Sequence, residues 1–233
     1  MNAITFRERA KSVLLDNYGK RKRDGARSGR WLGRNLALLA AGSDRIFAVT
    51  EKRKYTAYAV VLMIDGSSSM EGERLIYACQ AAFLVRAEMA KLGIKVIVNA
   101  FSNHVVCVEK EIARAKTADE FASIIINYVY NAKLAGGTNE DRAVDEAHRL
   151  LMAEREYPGK VIITICDGEP NDGGKLRKSI KKARRFDIQA LSLGICDSRN
   201  KRYYGTNQCA TVLHPKHIYS AAARLLTNNM RRA

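Results

Sequence analysis

Two kinds of hydrophobic pattern alternate along most of this chain. Short runs that are apolar at nearly every position are typical of strands buried on both faces of a sheet. Longer segments with apolar residues three or four positions apart predict amphipathic helices. The predicted strands are residues 58–64, 95–101, 105–108, 161–166 and 188–195. The predicted helices are residues 74–92, 117–130, 140–153, 175–186 and 217–228.

This alternation predicts a doubly wound, Rossmann-like α/β fold. Its central sheet would be mostly parallel, with about six strands and helices on both faces. Local signals mark two helix ends: Gly93 follows the first predicted helix as a stop signal. Thr117-x-x-Glu120 is the pattern of a capping box, which predicts that a helix begins there.

The first 57 residues have a different character. They hold 14 basic and 5 acidic residues, and so carry a large share of the chain's net charge of +16. Residues 20–25 are a basic, turn-prone cluster, and we expect residues 1–28 to be poorly ordered or only locally helical. We therefore predict that residues 1–57 form a basic N-terminal arm and edge extension and that residues 58–233 form the folded domain.

Carboxylate and hydroxyl side chains follow two of the predicted strands. In sheets of this kind, ligands bind outside the carboxyl ends of the strands. Hard oxygen atoms are the ligands that Mg²⁺ prefers, and Mn²⁺ accepts them too. Gly66 would let the first of these loops turn sharply. The sequence predicts a site for Mg²⁺ or Mn²⁺ whose ligands are Asp65, Ser67, Ser69, Thr138 and Asp167. Without a metal, the serines would read as a helix cap and the aspartates as hydrogen-bonded strand ends.

The order of these residues resembles a known binding site. D-x-S-x-S after a buried strand, then G-G-T, then D-G after a second apolar strand, is similar to the metal-ion-dependent adhesion site of von Willebrand factor A (VWA) domains. The resemblance implies that Ser67, Ser69 and Thr138 ligate the metal directly. It implies that Asp65 and Asp167 do so directly or through water. It also implies a protein-binding module with no catalytic residues.

A closer resemblance is to the C-terminal VWA domain of CobT-type cobalt chelatase subunits, over about residues 29–226. It implies a cytoplasmic adaptor that works with an AAA+ ATPase of the MoxR or CobS kind, in a chelatase-type complex. Ser68 stands where that family usually has glycine. The matching features are Gly29-Arg30-x-Leu32, Ile64-Asp65-x-Ser67-x-Ser69-Met70, Asp167-Gly168-x-Pro170, and Gly194-Ile195 followed by Arg202-Tyr203-Tyr204.

The positive charge supports an alternative function. Basic residues cluster at positions 20–23 and 175–185, and such patches attract polyanions. The alternative is therefore a nucleic-acid-associated protein, although aromatic residues do not interleave with the charge as they do in many single-strand binders. A metal-dependent hydrolase is a third interpretation. Separately, an acid/base pair of Asp65 and Asp167 is the alternative to a cation that both share and that holds both ionised.

Composition indicates the cellular compartment in which we expect the protein. No apolar run approaches the roughly 18 residues of a membrane span, and the first nine residues lack the apolar core of a signal peptide. The five cysteines are scattered and odd in number, which argues against a disulfide framework and favours a reducing compartment. We expect a cytoplasmic protein with no membrane contact.

Overall fold

A computed structural model gives the architecture of most of the chain. It describes residues 20–26, 30–31, 41–42, 47–52, 58–131, 136–167, 169–214 and 217–230. The strands in these ranges form a three-stranded sheet near the N-terminus and a six-stranded sheet. The larger sheet carries the candidate site.

The small sheet corrects one expectation about the N-terminal arm. Its strands are β1 (Lys20–Ala26), β2 (Arg30–Trp31) and β3 (Phe47–Lys52), with β3 in the middle and both pairings antiparallel. Residues 20–26, expected to be poorly ordered or locally helical, are therefore a strand. The error arose because strand pairing is a long-range, main-chain interaction that a run of basic side chains does not reveal. The rest of residues 1–28 lies outside the described ranges.

The large sheet confirms the predicted fold class. Its strands are β4 (Tyr58–Asp65), β5 (Lys95–Phe101), β6 (Val105–Cys107), β7 (Gly159–Cys166), β8 (Ile188–Ile195) and β9 (Cys209–Val212). Their order is β6-β5-β4-β7-β8-β9, and all neighbours are parallel except β5 and β6, which form the expected hairpin. β4 lies near the centre and is buried at every position.

Helices cover both faces of this sheet. They are α1 (Glu73–Ala90), α2 (Glu109–Ile112), α3 (Ala118–Asn131), α4 (Glu140–Ala153), α5 (Gly173–Arg185), α6 (Lys201–Tyr204) and α7 (Ile218–Met230). Alternate residues of β4 point to opposite faces and therefore enter two different cores. Val60, Leu62 and Ile64 belong to a core that includes residues of α1, α3 and α7. Val61 and Met63 belong to a second core with residues of α4 and α5.

The two predicted helix boundaries are confirmed. Gly93 has a positive φ of 73°, a conformation that glycine adopts without strain, and it lies just beyond the end of α1. At the start of α3, the Glu120 backbone N–H donates to Thr117 Oγ1 at 3.2 Å. The Thr117 backbone N–H donates to Glu120 Oε2 at 3.4 Å, so both halves of the capping box are present.

The sequence pattern missed two elements near the C-terminus. The first is α6, which is only four residues long, and the second is β9, which pairs with β8 and supplies the sixth strand. Neither is long enough to show a period, and only two of the four β9 residues are buried. All five cysteines are free thiols, as the spacing predicted. Among the described residues, no helix is both long and apolar enough to cross a membrane.

Candidate metal centre

The two aspartates of the predicted site lie on neighbouring strands. β4 and β7 are parallel and hydrogen-bonded, so their carboxyl ends meet at the same end of the sheet. Asp65 is the last residue of β4, and Asp167 follows directly after β7. Asp65 is fully buried, and the Asp167 side chain is also inaccessible to solvent. Two carboxylates thus approach each other at a place shielded from water.

A chain of hydrogen bonds connects these aspartates through the serines. The Ser67 backbone N–H donates to Asp65 Oδ1 at 2.8 Å. The Ser67 and Ser69 hydroxyl oxygens are 3.1 Å apart, and Ser69 Oγ donates to Asp167 Oδ1 at 2.7 Å. Ser67 is buried, whereas Ser69 is exposed. The structure therefore brings four of the five predicted ligands together, with Ser69 on the solvent side.

Thr138 is attached to the same region by its backbone. Its N–H donates to Asn171 Oδ1 at 3.1 Å, and its carbonyl accepts from the Asn171 N–H at 3.0 Å. Asn171 lies four residues after Asp167, so this pair of bonds joins the Thr138 loop to the loop after β7. Gly137 is needed here because a Cβ atom would lie 2.4 Å from Asn171 Nδ2. Thr138 itself is buried.

One oxygen of Asp65 is left without a partner. Oδ2 is buried and accepts no hydrogen bond within the described part of the chain. An unsatisfied buried charged group is costly, so such an atom calls for a counter-charge or a proton. Burial raises the pKa of Asp65 to about 7, against the lowering effect of its hydrogen bonds with Ser67, and the nearby Asp167 carboxylate raises it further. A cation bound at this oxygen would hold Asp65 ionised.

The donor set suits a hard cation and depends on the hydroxyl groups. No cluster of three or more His, Cys, Asp or Glu side chains able to hold a metal occurs in the described ranges. Two carboxylates and three hydroxyls, all oxygen donors, fit Mg²⁺ or Mn²⁺ better than a softer metal. The donor chemistry of the predicted residues therefore suits a divalent cation, with Asp65 Oδ2 as the atom that most needs one.

A basic residue that the sequence did not single out also lies at this site. Arg74, in the first turn of α1, donates through Nη1 to Asp167 Oδ2 at 2.5 Å and to the Ser69 carbonyl at 3.2 Å. The chain has 40 lysine and arginine residues, so the residue type alone does not distinguish Arg74 from the others. Its position five residues after Ser69, at the start of the next helix, is the signal that could have identified it.

A buried polar network beneath the site was also missed. Glu140, the first residue of α4, accepts a hydrogen bond from the Tyr204 hydroxyl at 2.8 Å, and the Tyr204 and Thr164 hydroxyls are 2.9 Å apart. Burial raises the pKa of Glu140 to about 7, with repulsion from Asp65 adding to the effect. The network fixes α4, and with it the loop that carries Thr138, against β7 and α6.

Comparison with known families decides the classification. The sequence profile of the von Willebrand factor type A domain matches residues 59–227, which is most of the chain. The chain belongs to the von Willebrand factor type A domain family. The match supports this assignment and does not extend to the closer resemblance to CobT-type subunits. A search of curated protein sequences found no relative.

Solved structures agree with this VWA fold at low sequence identity. A VWA protein from Catenulispora acidiphila has a TM-score of 0.55 and 19% identity, over 76% of this chain and 43% of that one. The zinc-occupied proximal thread matrix protein 1 of the mussel byssus has a TM-score of 0.55 and 16% identity, over 75% and 48%. Manganese-loaded Plasmodium vivax TRAP has a TM-score of 0.50 and 15% identity, over 73% and 72%. This chain thus spans less than half the length of two of these three chains.

Gly66 has a different role from the one expected. It was expected to allow a sharp turn, but it is not among the glycines with positive φ. Instead, a Cβ atom here would lie 2.9 Å and 3.0 Å from the two methyl groups of Val129 on α3. A residue without a Cβ atom is required because α3 packs directly against the loop between Asp65 and Ser67.

This contact predicts an energetic coupling between the two positions. Gly66→Ala should lower the free energy of unfolding by about 1–3 kcal/mol, because the added methyl group overpacks the contact with Val129. In a Val129→Ala background the same change should cost much less, because the clashing methyl groups are gone. Urea denaturation of the two single variants and the double variant measures both effects. Strictly additive costs would show that the Val129 contact is not the reason for glycine.

Proposed function

We propose that this VWA domain binds a divalent cation, Mg²⁺ or Mn²⁺, and presents it to an acidic side chain of a protein partner. The ligands are Asp65, Ser67, Ser69, Thr138 and Asp167. The observation that carries the proposal is the buried Oδ2 of Asp65, which has no partner among the described residues and lies beside a chain of hydroxyl groups that reaches the surface at Ser69. The module is a binding one and performs no catalysis of its own.

Each residue has a distinct task at this site. Asp65 supplies charge at the buried end of the site and orients the loop by accepting the Ser67 N–H. The Ser69 hydroxyl donates its proton to Asp167 Oδ1, which fixes its orientation. A lone pair of the same oxygen is then available to the cation. Thr138 closes the other side from its Asn171-anchored loop. The cation, when bound, supplies positive charge and a ligand position that a partner's carboxylate can fill.

The metals named for two structurally similar proteins support a divalent cation as the class of ion. One neighbour is manganese-loaded TRAP, and another has a zinc-occupied metal-ion-dependent adhesion motif. Those ions belong to those proteins. For this chain, the preference for Mg²⁺ or Mn²⁺ is supported by a donor set made only of oxygen atoms.

The partner is acidic, because the surface near the site carries exposed basic side chains. The Arg74 side chain is 43% exposed although it reaches Asp167. On α5, Arg177 is exposed and belongs to no ion pair in the described ranges, whereas the exposed Lys175 pairs with Asp172. Such a surface steers negatively charged partners toward the metal and makes their association sensitive to salt.

The partner class we favour is an AAA+ ATPase of the MoxR or CobS kind, with this chain as a cytoplasmic adaptor like the CobT-type subunits. The support is the set of sequence features shared with those subunits, including Ile64-Asp65-x-Ser67-x-Ser69-Met70 and Asp167-Gly168-x-Pro170. Metal insertion by a chelatase-type complex is one task of such a pair.

A second candidate function is polyanion binding by α5. Lys178, Lys181 and Arg185 are exposed at helical spacing, and no ion pair in the described ranges involves any of them. A nucleic-acid backbone is the polyanion that this row would bind. Changing all three to glutamine should then lower the salt concentration at which the protein leaves a DNA column, whereas Ser67→Ala should not. Equal elution of the triple variant and the wild type would remove this candidate.

The metal proposal predicts a stability change that depends on Asp65. Mg²⁺ or Mn²⁺ at a hundredfold excess over its dissociation constant should stabilise the domain by about 2.7 kcal/mol. For a domain of this size that raises the melting temperature by about 5–10 °C, and EDTA should reverse it. Asp65→Ala should abolish the response, whereas Asp119→Ala, which removes an exposed carboxylate on α3, should preserve it. A full response in Asp65→Ala would place the ion elsewhere.

The partner proposal predicts metal-dependent capture. In pull-downs from the native host, the wild-type domain should retain an AAA+ ATPase with Mg²⁺ and lose it in EDTA. Ser67→Ala and Thr138→Ala should lose it in either condition. Ser68→Ala should behave as wild type, because Ser68 is exposed in the same loop and is not a proposed ligand. Equal retention in EDTA, or by both ligand variants, would contradict bridging through the metal.

A further inference from the structure

Arg74 occupies a distinctive position at the candidate site. Its guanidinium contacts Asp167 Oδ2 at 2.5 Å and the Ser69 carbonyl at 3.2 Å, so it touches two of the five proposed ligand residues. Of the ion pairs among the described residues, this is the one that involves either aspartate of the site. One partner is wholly buried and the other is partly exposed, so the pair lies at the boundary between the site and solvent.

The charges around this pair are unequal. Both oxygens of Asp167 are occupied, Oδ1 by the Ser69 hydroxyl and Oδ2 by Arg74. Asp65 has one hydrogen-bonded oxygen and one that is bare. Of the two buried carboxylates, only Asp167 therefore pairs with a positive side chain among the described residues. Without that side chain, neither carboxylate of the metal-free site would pair with a basic side chain of the described ranges.

We propose that Arg74 is a built-in counter-cation: it stabilises the metal-free site and lowers the affinity of that site for a divalent ion. The inference rests on the proposed metal function and deepens it, because it says what sets the strength of binding. Arg74 is a positioning residue in this account, since it acts through Asp167 and contributes no ligand atom.

The electrostatic effect has a definite sign. A fixed positive charge beside Asp167 repels an incoming divalent cation and compensates part of the negative charge that would attract it. At the boundary between the site and solvent, where salt partly screens the charges, this repulsion corresponds to roughly a fivefold loss of affinity. A partner's carboxylate would restore the missing negative charge. Metal and partner would then bind with positive coupling, each raising the affinity for the other.

The test is a Mn²⁺ titration of variants of the 233-residue chain, in which the free ion is measured by electron paramagnetic resonance. Arg74→Gln and Arg74→Met remove the charge, and Arg74→Lys keeps it. Arg86→Gln is the matched control, because it removes one arginine from the same helix about 18 Å further along. Arg86 pairs with Glu109, away from the site.

We expect the two neutral variants to bind Mn²⁺ about fivefold more tightly than the wild type. In EDTA their melting temperatures should be lower by about 2–4 °C, because a buried carboxylate has lost its partner. That loss should vanish when Asp167→Asn is combined with Arg74→Gln, because the carboxylate charge is then gone as well. Arg74→Lys and Arg86→Gln should keep the wild-type affinity.

Three outcomes would overturn the proposal, and they differ in what else they affect. If the wild type binds Mn²⁺ and the neutral variants bind it equally or more weakly, Arg74 does not oppose the metal, and the metal function stands. If neither the wild type nor any variant binds Mn²⁺, the proposed metal function fails and the role of Arg74 fails with it. Tighter binding by Arg74→Lys to the same extent as Arg74→Gln would show that charge is not the cause.

Discussion

A buried carboxylate at the end of the central strand is the constraint on which the site depends. β4 is buried along its whole length, so its last residue enters the interior whatever its chemistry. That residue is Asp65, and within the described part of the chain only one of its two oxygens accepts a hydrogen bond. Neighbouring groups are arranged around this deficit: the serine hydroxyls, Asp167 at the end of the adjacent strand, and the Thr138 loop.

Charge balance links this site to the rest of the domain. Asp65 is flanked by Asp167 and lies close enough to Glu140 for their charges to interact. Arg74 is the basic group that meets these acids in the described part of the chain, and it meets only Asp167. The Tyr204 hydroxyl satisfies one oxygen of Glu140, and the other has no partner there. The region is thus arranged for a positive charge that the protein supplies only in part, which is the property expected of a cation site.

The sequence predicted the parts of this structure that follow from local pattern. Continuous apolar runs located β4, β7 and β8, and the pairing of β4 with β7 then brought Asp65 and Asp167 to the same end of the sheet. The single Thr117-x-x-Glu120 signal located the start of α3. These features depend on residues that are close in sequence or on general rules of parallel sheets.

The missed features depend on contacts between distant segments. Arg74 meets Asp167 across 93 positions, and Tyr204 meets Glu140 across 64. Gly66 is explained by Val129, a residue on another element, and not by its own backbone angles. β1 is a strand because β3 pairs with it, although its composition is that of a basic linker. None of these contacts leaves a periodic trace in the sequence, so only the folded arrangement reveals them.

The central claim is that Asp65, the two serines, Thr138 and Asp167 surround one divalent cation. Anomalous X-ray scattering from crystals grown with Mn²⁺ tests it directly, because the peak locates the ion independently of the protein model. The account predicts one strong peak at the carboxyl ends of β4 and β7, within about 2.0–2.3 Å of the serine hydroxyl oxygens, as oxygen ligands require. The proposed site would be contradicted by a peak whose surrounding ligands are other residues. It would also be contradicted by the absence of a peak at Mn²⁺ concentrations that saturate the binding measured in solution.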